Sequence, residues 1–264
     1  MKKEMLYLKD SAAKMGIELS DLQLEQFDTY YEMLVEKNKV MNLTAIIELE
    51  EVVQKHFLDS ISLIKVEKLN QDISIIDLGT GAGFPGIPLK IAFPELEVCL
   101  ADSLNKRVLF LNKVIEELGL TKISAVHGRA EELARKKKYR EQFDLCVSRA
   151  VANLATLSEY CLPFVKVGGK FISYKANEVE EETKQAEHAL EVLGGACVDI
   201  QKFQLPDSEM NRAFVIIEKK KRHLQLIQEK QEHHRRNLYD NKNNKIRIPT
   251  LKVRIDLTIR GRYF

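Results

Sequence analysis

The four cysteines, Cys99, Cys146, Cys161 and Cys197, are scattered, and no C-x-x-C pair occurs. That spacing argues against the common zinc modules and for buried free thiols in a reducing compartment. No run approaches the roughly 18 apolar residues of a membrane span. The amino terminus, MKKEMLYLKD, lacks the apolar core of a signal peptide. The expectation is a cytoplasmic protein with no membrane segment and no metal. Ser-His-Asp, paired-carboxylate and nucleotide-deaminase patterns are absent, and no repeat or low-complexity linker appears before residue 219.

What remains is ordinary globular material: 264 residues, 45% hydrophobic and 30% charged, enough for one large or two small domains. The net charge of +2 hides an asymmetry. Residues 219–264 carry 14 Lys+Arg against 4 Asp+Glu, and residues 1–218 carry 27 against 35. A tail of +10 on a body of −8 suggests either a polyanion partner or a solvated tail without one.

The most informative segment is Ile75-Ile76-Asp77-Leu78-Gly79-Thr80-Gly81-Ala82-Gly83-Phe84-Pro85-Gly86. A β-branched apolar run reads as a buried strand, and the glycines that follow read as a turn where backbone approaches a ligand. Two cofactor classes use such a unit. Dinucleotides set pyrophosphate on the following helix N-terminus. S-adenosylmethionine (SAM) has an amino group, a sulfonium and a ribose instead, and the acid at Asp77 suits it better. A second strand, 97–101, ends at Asp102, 23 residues beyond Gly79, where an acid accepts from ribose hydroxyls in either class. Arg107 and Lys106, on the helix after it, read as solvated.

Residues 1–70 read as a helical region. Ser20-Asp21 offers a cap, Leu22 to Val35 carry a helical apolar spacing, and Asn42-Leu43-Thr44 can cap a further helix containing His56 and Phe57. The pair His56 and Asp59 reads as orienting a helix rather than as catalytic. Residues 71–218 alternate strands and helices, which argues for a parallel sheet. The strands expected are 73–77, 97–101, 123–127, 143–148, 169–175, 197–203 and 212–218. The last is expected to pair antiparallel with 197–203 at the sheet edge, and Gly168-Gly169 to form a turn entering the fifth. Arg129, Glu131 and Arg149 follow strands, and ligands bind at the carboxyl ends of strands in such sheets.

Met41 to Thr44, His56 to Ser60, Asp77 to Pro88, Asp102 to Arg107, Gly128 to Glu131, Ser148 to Ala152 and Leu205-Pro206 together resemble the RsmG (GidB) methyltransferases. That family methylates N7 of one guanine, position 527, in bacterial 16S rRNA. The resemblance covers about residues 20–218. It implies an α/β class I SAM-dependent methyltransferase fold, a mostly parallel seven-stranded doubly wound sheet with an N-terminal helical extension. It implies SAM held by Gly79, Gly81, Phe84, Ala130, Glu131 and Arg149, with Asp102 near the ribose. It further implies contacts to RNA from Arg129 and Lys175, and a partner that is 16S rRNA, the 30S subunit or its precursor. No general base is expected, because guanine N7 carries a lone pair and no proton. Positioning would fall to Arg149 and Lys175. Nothing in the sequence demands an oligomer. Two rival readings remain at the residue level: a nicotinamide-dependent oxidoreductase using the same loop, and a non-enzymatic RNA-binding assembly factor.

The resemblance stops near Lys221. Family members end in a tail resembling K-T-P-T…P-R-K-A-G-T-P. Lys221 to Gln225 and Ile227 to His234 can both be written in codons whose same alternative frame reads those two motifs. The region 219–264 is therefore read as an atypical basic tail, frameshifted from about residue 222.

Overall fold

The structure is a computed structural model that describes residues 2–69, 72–149, 152–176 and 179–222; the expectations for the tail from residue 223 lie outside them. Seven strands form one sheet among the described residues: β1 (Ser74–Leu78), β2 (Glu97–Asp102), β3 (Ile123–His127), β4 (Phe143–Ser148), β5 (Val165–Lys175), β6 (Gly195–Gln204) and β7 (Asn211–Lys219). Their spatial order is β3-β2-β1-β4-β5-β7-β6. The first five strands pair in parallel, and β7 runs antiparallel to both β5 and β6. Chain order reverses between β1 and β4, and open α/β sheets bind ligands at the carboxyl ends of the strands at such a switch point.

Alternation along each strand divides the core in two. Ile75, Val98, Leu100, Leu145, Val147, Ile172 and Phe214 face one cluster, and Ile76, Cys99, Cys146, Phe171 and Val215 face the other. The first face is covered by α1 (Lys3–Ala13), α2 (Asp21–Met41), the segment α3 (Leu49–Val52), a π-helical turn (Val53–Leu58) and α4 (Asp59–Ile61), with α5 (Gly86–Ala92) and α6 (Asn105–Glu117). The second is covered by α7 (Ala130–Leu133), α8 (Leu154–Cys161) and α9 (Glu180–Val192). The N-terminal helices thus share one apolar core with the sheet.

The start of α2 follows the sequence: Ser20 and Gln23 form a reciprocal capping box. Three local expectations need correction. Asn42 closes α2 in a left-handed conformation, and the next helix starts only after Glu48; Asn38 Oδ1 instead accepts from Leu43 and Thr44 N–H and folds that stretch into a turn. Gly168-Gly169 lies inside β5, where the register against β4 jumps from Phe143↔Val165 to Leu145↔Lys170. Gly168 adopts φ +85° there, and a Cβ on Gly169 would stand 2.6 Å from the Asp144 carbonyl oxygen. Finally, the antiparallel pairing of the last two strands is as expected, but the edge is β6. The run Ala213–Ile217 is apolar on both faces and is buried between two strands, while β6 carries exposed Val198, Asp199, Gln201 and Lys202.

Candidate active site

The loop after β1 divides into two functional halves. Gly79 and Gly81 have φ of +74° and +63°, and a Cβ on either would meet nothing within 4 Å. Their backbone conformation demands glycine, and they border open space. Gly83 and Gly86 serve packing instead. A Cβ on Gly83 would lie 2.5 Å from Ile87 Cδ1, and one on Gly86 would lie 2.2 Å from Leu100 Cδ2. The loop therefore opens toward a ligand at its first two glycines and is wedged into protein at the last two.

Two carboxylates shape it. Asp77 is fully buried; its Oδ2 accepts from Thr80 Oγ1 (2.6 Å) and Gly86 N–H (2.8 Å). Its Oδ1 is buried with no hydrogen-bond partner, and burial pushes its pKa up to about 7. Asp102 accepts from Gly81 N–H at 3.0 Å and from Leu104 N–H at 2.8 Å. Arg107 Nη1 lies 3.3 Å from its Oδ2. Arg107 is thus no free surface charge: the turn of α6 brings it back over the acid at the end of β2.

The second half of the loop is held by the N-terminal helices. Tyr30 Oη donates to the Ala82 carbonyl at 2.8 Å. Phe84 packs against the rings of Tyr30 (5.5 Å between centroids), Phe57 (6.3 Å) and His56, whose ring stacks on it at 4.4 Å. The Arg149 guanidinium sits 5.7 Å from the centre of the same ring.

Alternation along β4 turns Arg149 to the face of Asp77. Its Nη1 bonds Ser60 Oγ (3.1 Å) and the His56 carbonyl (3.4 Å), and its Nη2 bonds the Lys55 carbonyl (3.2 Å) and His56 Nδ1 (3.2 Å). The π-helical turn presents these carbonyls. Such turns leave backbone acceptors available to side chains and are frequent at functional sites. The His56 Nδ1 stands 3.2 Å from the Arg149 Nη2 donor and 3.1 Å from the Lys55 carbonyl, and its Nε2 stands 3.0 Å from Thr44 Oγ1. Burial, then the Arg149 charge, lowers the His56 pKa to about 3, so the imidazole is neutral. Asp59 completes the cluster, with Oδ1 2.8 Å from Arg212 Nε and Oδ2 3.4 Å from Arg149 Nη1. Tyr174 Oη donates to the Ser60 carbonyl at 2.9 Å.

The expected site residues thus fall into three places. Gly79, Gly81, Phe84, Asp102 and Arg149 border the carboxyl ends of β1, β2 and β4. Arg129, Ala130 and Glu131 form the start of α7 after β3, with Arg129 and Glu131 exposed. Lys175 points to the opposite face of the sheet from Tyr174 and bonds Glu182 (2.8 Å) and the Ala152 carbonyl (3.1 Å), so the fold does not set it beside Arg149. Tyr30, Thr44, Asp59 and Arg212 were not among the expected site residues. The available signal was a tyrosine on an otherwise apolar helix face, since a buried hydroxyl needs a partner. Among the described residues no group of three or more His, Cys, Asp or Glu could hold a metal ion, and no helix is long and apolar enough to cross a membrane.

Five parallel strands with an antiparallel β7 inserted before β6 differ from the dinucleotide-binding order 3-2-1-4-5-6 and define an α/β enzyme of the SAM-dependent methyltransferase class. A solved structure from Methanococcus maripaludis assigned to that class superposes with a TM-score of 0.50 at 16% identity, covering 74% of this chain and 94% of that one. The sequence matches the family described as rRNA small subunit methyltransferase G (GidB) over residues 23–215, and the chain belongs to that family. Among curated relatives, the ribosomal RNA small subunit methyltransferase G of Lachnoclostridium phytofermentans is 58% identical over 207 residues, 78% of this chain and 86% of that protein. That of Desulforamulus reducens is 51% identical over 214 residues, 81% and 89% respectively. The oxidoreductase and non-enzymatic readings are set aside.

Proposed function

We propose that this chain transfers the methyl group of SAM to N7 of guanine 527 in 16S rRNA, acting as a cytoplasmic monomer on the 30S subunit, its precursor or the free rRNA. The observation that carries the reading is the glycine-rich loop. Gly79 and Gly81 border open space, and beside them Asp77 has one buried oxygen without a donor. Both features suit a ligand that brings a positively charged or hydroxyl donor and needs close backbone approach.

When bound, SAM supplies a methyl group already activated by its sulfonium. Gly79 and Gly81 would admit it against the backbone. Asp102, which keeps acceptor capacity beyond Gly81, Leu104 and Arg107, would receive the ribose hydroxyls. Ala130 and Glu131 would flank the adenosine from the end of β3. Phe84 and Arg149 would form the wall toward the N-terminal helices. Arg129 and Lys175 are assigned to RNA. No residue of the crevice needs to remove a proton, since guanine N7 has none to lose. The chain has to position, exclude water and accommodate a positive charge that passes from sulfur to purine.

Mass mapping of 16S rRNA from cells with and without the gene tests this. The expected result is a single methyl group at guanine 527 N7 that depends on the gene. A methyl at another base, or none, would overturn the assignment while leaving the family and the fold intact.

A further inference from the structure

The body of this protein is net acidic: residues 1–218 carry 27 Lys+Arg against 35 Asp+Glu. A polyanion can dock on such a body only where positive charge is locally concentrated. One segment provides it. Five of the six residues Arg135-Lys136-Lys137-Lys138-Tyr139-Arg140 are basic.

The local fold fixes where these charges lie. Arg129 caps α7 at the carboxyl end of β3, on the rim of the cofactor crevice. The chain then continues through Lys136, whose N–H bonds the Leu133 carbonyl at 2.9 Å, and turns so that the N–H groups of Tyr139 and Arg140 bond the Lys136 carbonyl at 2.8 and 3.0 Å. Leu133 and Ala134 are buried in the core of the second sheet face, and Tyr139 packs against it. These anchors leave Lys136, Lys137 and Lys138 exposed on a held backbone. Lys138 Nζ stands 5.4 Å from the Tyr139 ring centre. Most other lysines among the described residues are paired: Lys2, Lys14, Lys122, Lys166 and Lys202, for example, each meet a carboxylate. Among the described residues none of Lys136, Lys137 and Lys138 does, although Glu131 and Glu132 lie one turn earlier. Three adjacent ammonium groups without counter-charge repel one another, and phosphate oxygens would relieve that repulsion.

We propose that Lys136, Lys137 and Lys138 are a docking surface for the phosphodiester backbone of the substrate RNA. The surface starts seven residues along the chain from Arg129, just beyond the short helix α7. It would hold the strand flanking the target base while the crevice receives the base itself. This rests on the RNA-methylation reading. The interactions are electrostatic and read no sequence, so they contribute affinity and its salt dependence rather than choice of base.

The test is binding of transcribed 16S rRNA between about 50 and 200 mM salt to the full chain, to the triple variant Lys136→Gln, Lys137→Gln, Lys138→Gln, and to the triple arginine variant. The expected result for glutamine is a slope of log affinity against log salt shallower by about 2, at about 0.7 for each phosphate that is no longer neutralised. S-adenosylhomocysteine affinity and Tm should be unchanged, and arginine should restore the slope. An unaltered slope in the glutamine variant overturns the proposal. So does loss of binding to phosphatidylglycerol vesicles with RNA affinity intact, which would assign the lysines to a lipid surface. If the unmodified chain shows no salt-dependent RNA affinity, the RNA reading fails with it.

Discussion

Tyr30 Oη donates a 2.8 Å hydrogen bond to the carbonyl of Ala82, joining α2 to the glycine-rich loop across 52 positions of sequence. The hydroxyl lies beside Gly83, where a Cβ would stand 2.8 Å from it. The shape of the cofactor loop is therefore set partly from outside the sheet. Tyr30→Phe keeps the ring against Phe57 and Phe84 and leaves the Ala82 carbonyl without its donor. It should cost about 1 kcal/mol of stability and weaken S-adenosylhomocysteine by about fivefold. Calorimetry well below Tm checks this; equal affinity in the two proteins would show that the loop keeps its shape without the bond.

Gly81→Val places a β-branched residue at φ +63°. The backbone strain should cost about 1–2 kcal/mol, and the side chain would project into the open space assigned to SAM. Cofactor binding should be lost while the protein remains folded, as read by calorimetry beside circular dichroism. Retained binding would remove Gly81 from the site.

Arg149→Ala removes the donors that saturate Lys55, His56 and Ser60 and leaves Asp59, only 5% exposed, with Arg212 alone. Removing one partner from a buried pair costs up to about 3–5 kcal/mol. The expected outcome is a large stability loss alongside reduced methyl transfer, with partial recovery in Arg149→Lys. Wild-type denaturant stability with reduced methyl transfer would instead place Arg149 on substrate rather than in the seam.

Asp77 and His56 should give opposite pH dependences. The Asp77 pKa is raised to about 7, so between about pH 4 and 7 the folded state holds a proton that the unfolded state has released, and stability falls as pH rises. The His56 pKa is lowered to about 3. Between about pH 3 and 6.5 the unfolded state binds the extra proton, and stability rises with pH. The two largely offset each other in the unmodified chain. Asp77→Asn should expose a rising profile, and His56→Asn a falling one, in urea midpoints measured from pH 4 to 7. Parallel profiles in both variants would contradict the two assignments.

Truncation after Arg222 should leave Tm and S-adenosylhomocysteine affinity nearly unchanged. Residues up to Arg222 form one compact unit, and β7 ends at Lys219, whose buried ammonium bonds the Leu162 carbonyl and Glu141. A marked fall in Tm on truncation would show that the tail packs on this unit and would count against the frameshift reading.

The sequence by itself determined the class of fold. Continuous apolar runs ending in Asp77 and Asp102, glycines directly after Asp77 and alternating helical segments admit little besides a parallel sheet with a ligand at its strand ends. Those signals are local, written within a few residues of one another, and they located Gly79, Gly81 and Asp102. Tertiary structure decided what pairwise distance in space decides. Thr44, His56, Asp59, Arg149 and Arg212 meet in one polar seam although they are spread over 169 positions. Nothing in the local pattern of His56-Phe57-Leu58-Asp59 separates a helix-orienting pair from a seam against Phe84. The same holds for β7: its apolar run announces a buried strand, but its place between β5 and β6 follows from which neighbours cover both of its faces. Lys175 was legible as a charge at a strand end, and only the pleat, which turns alternate residues to opposite faces, sent it to Glu182 rather than toward Arg149.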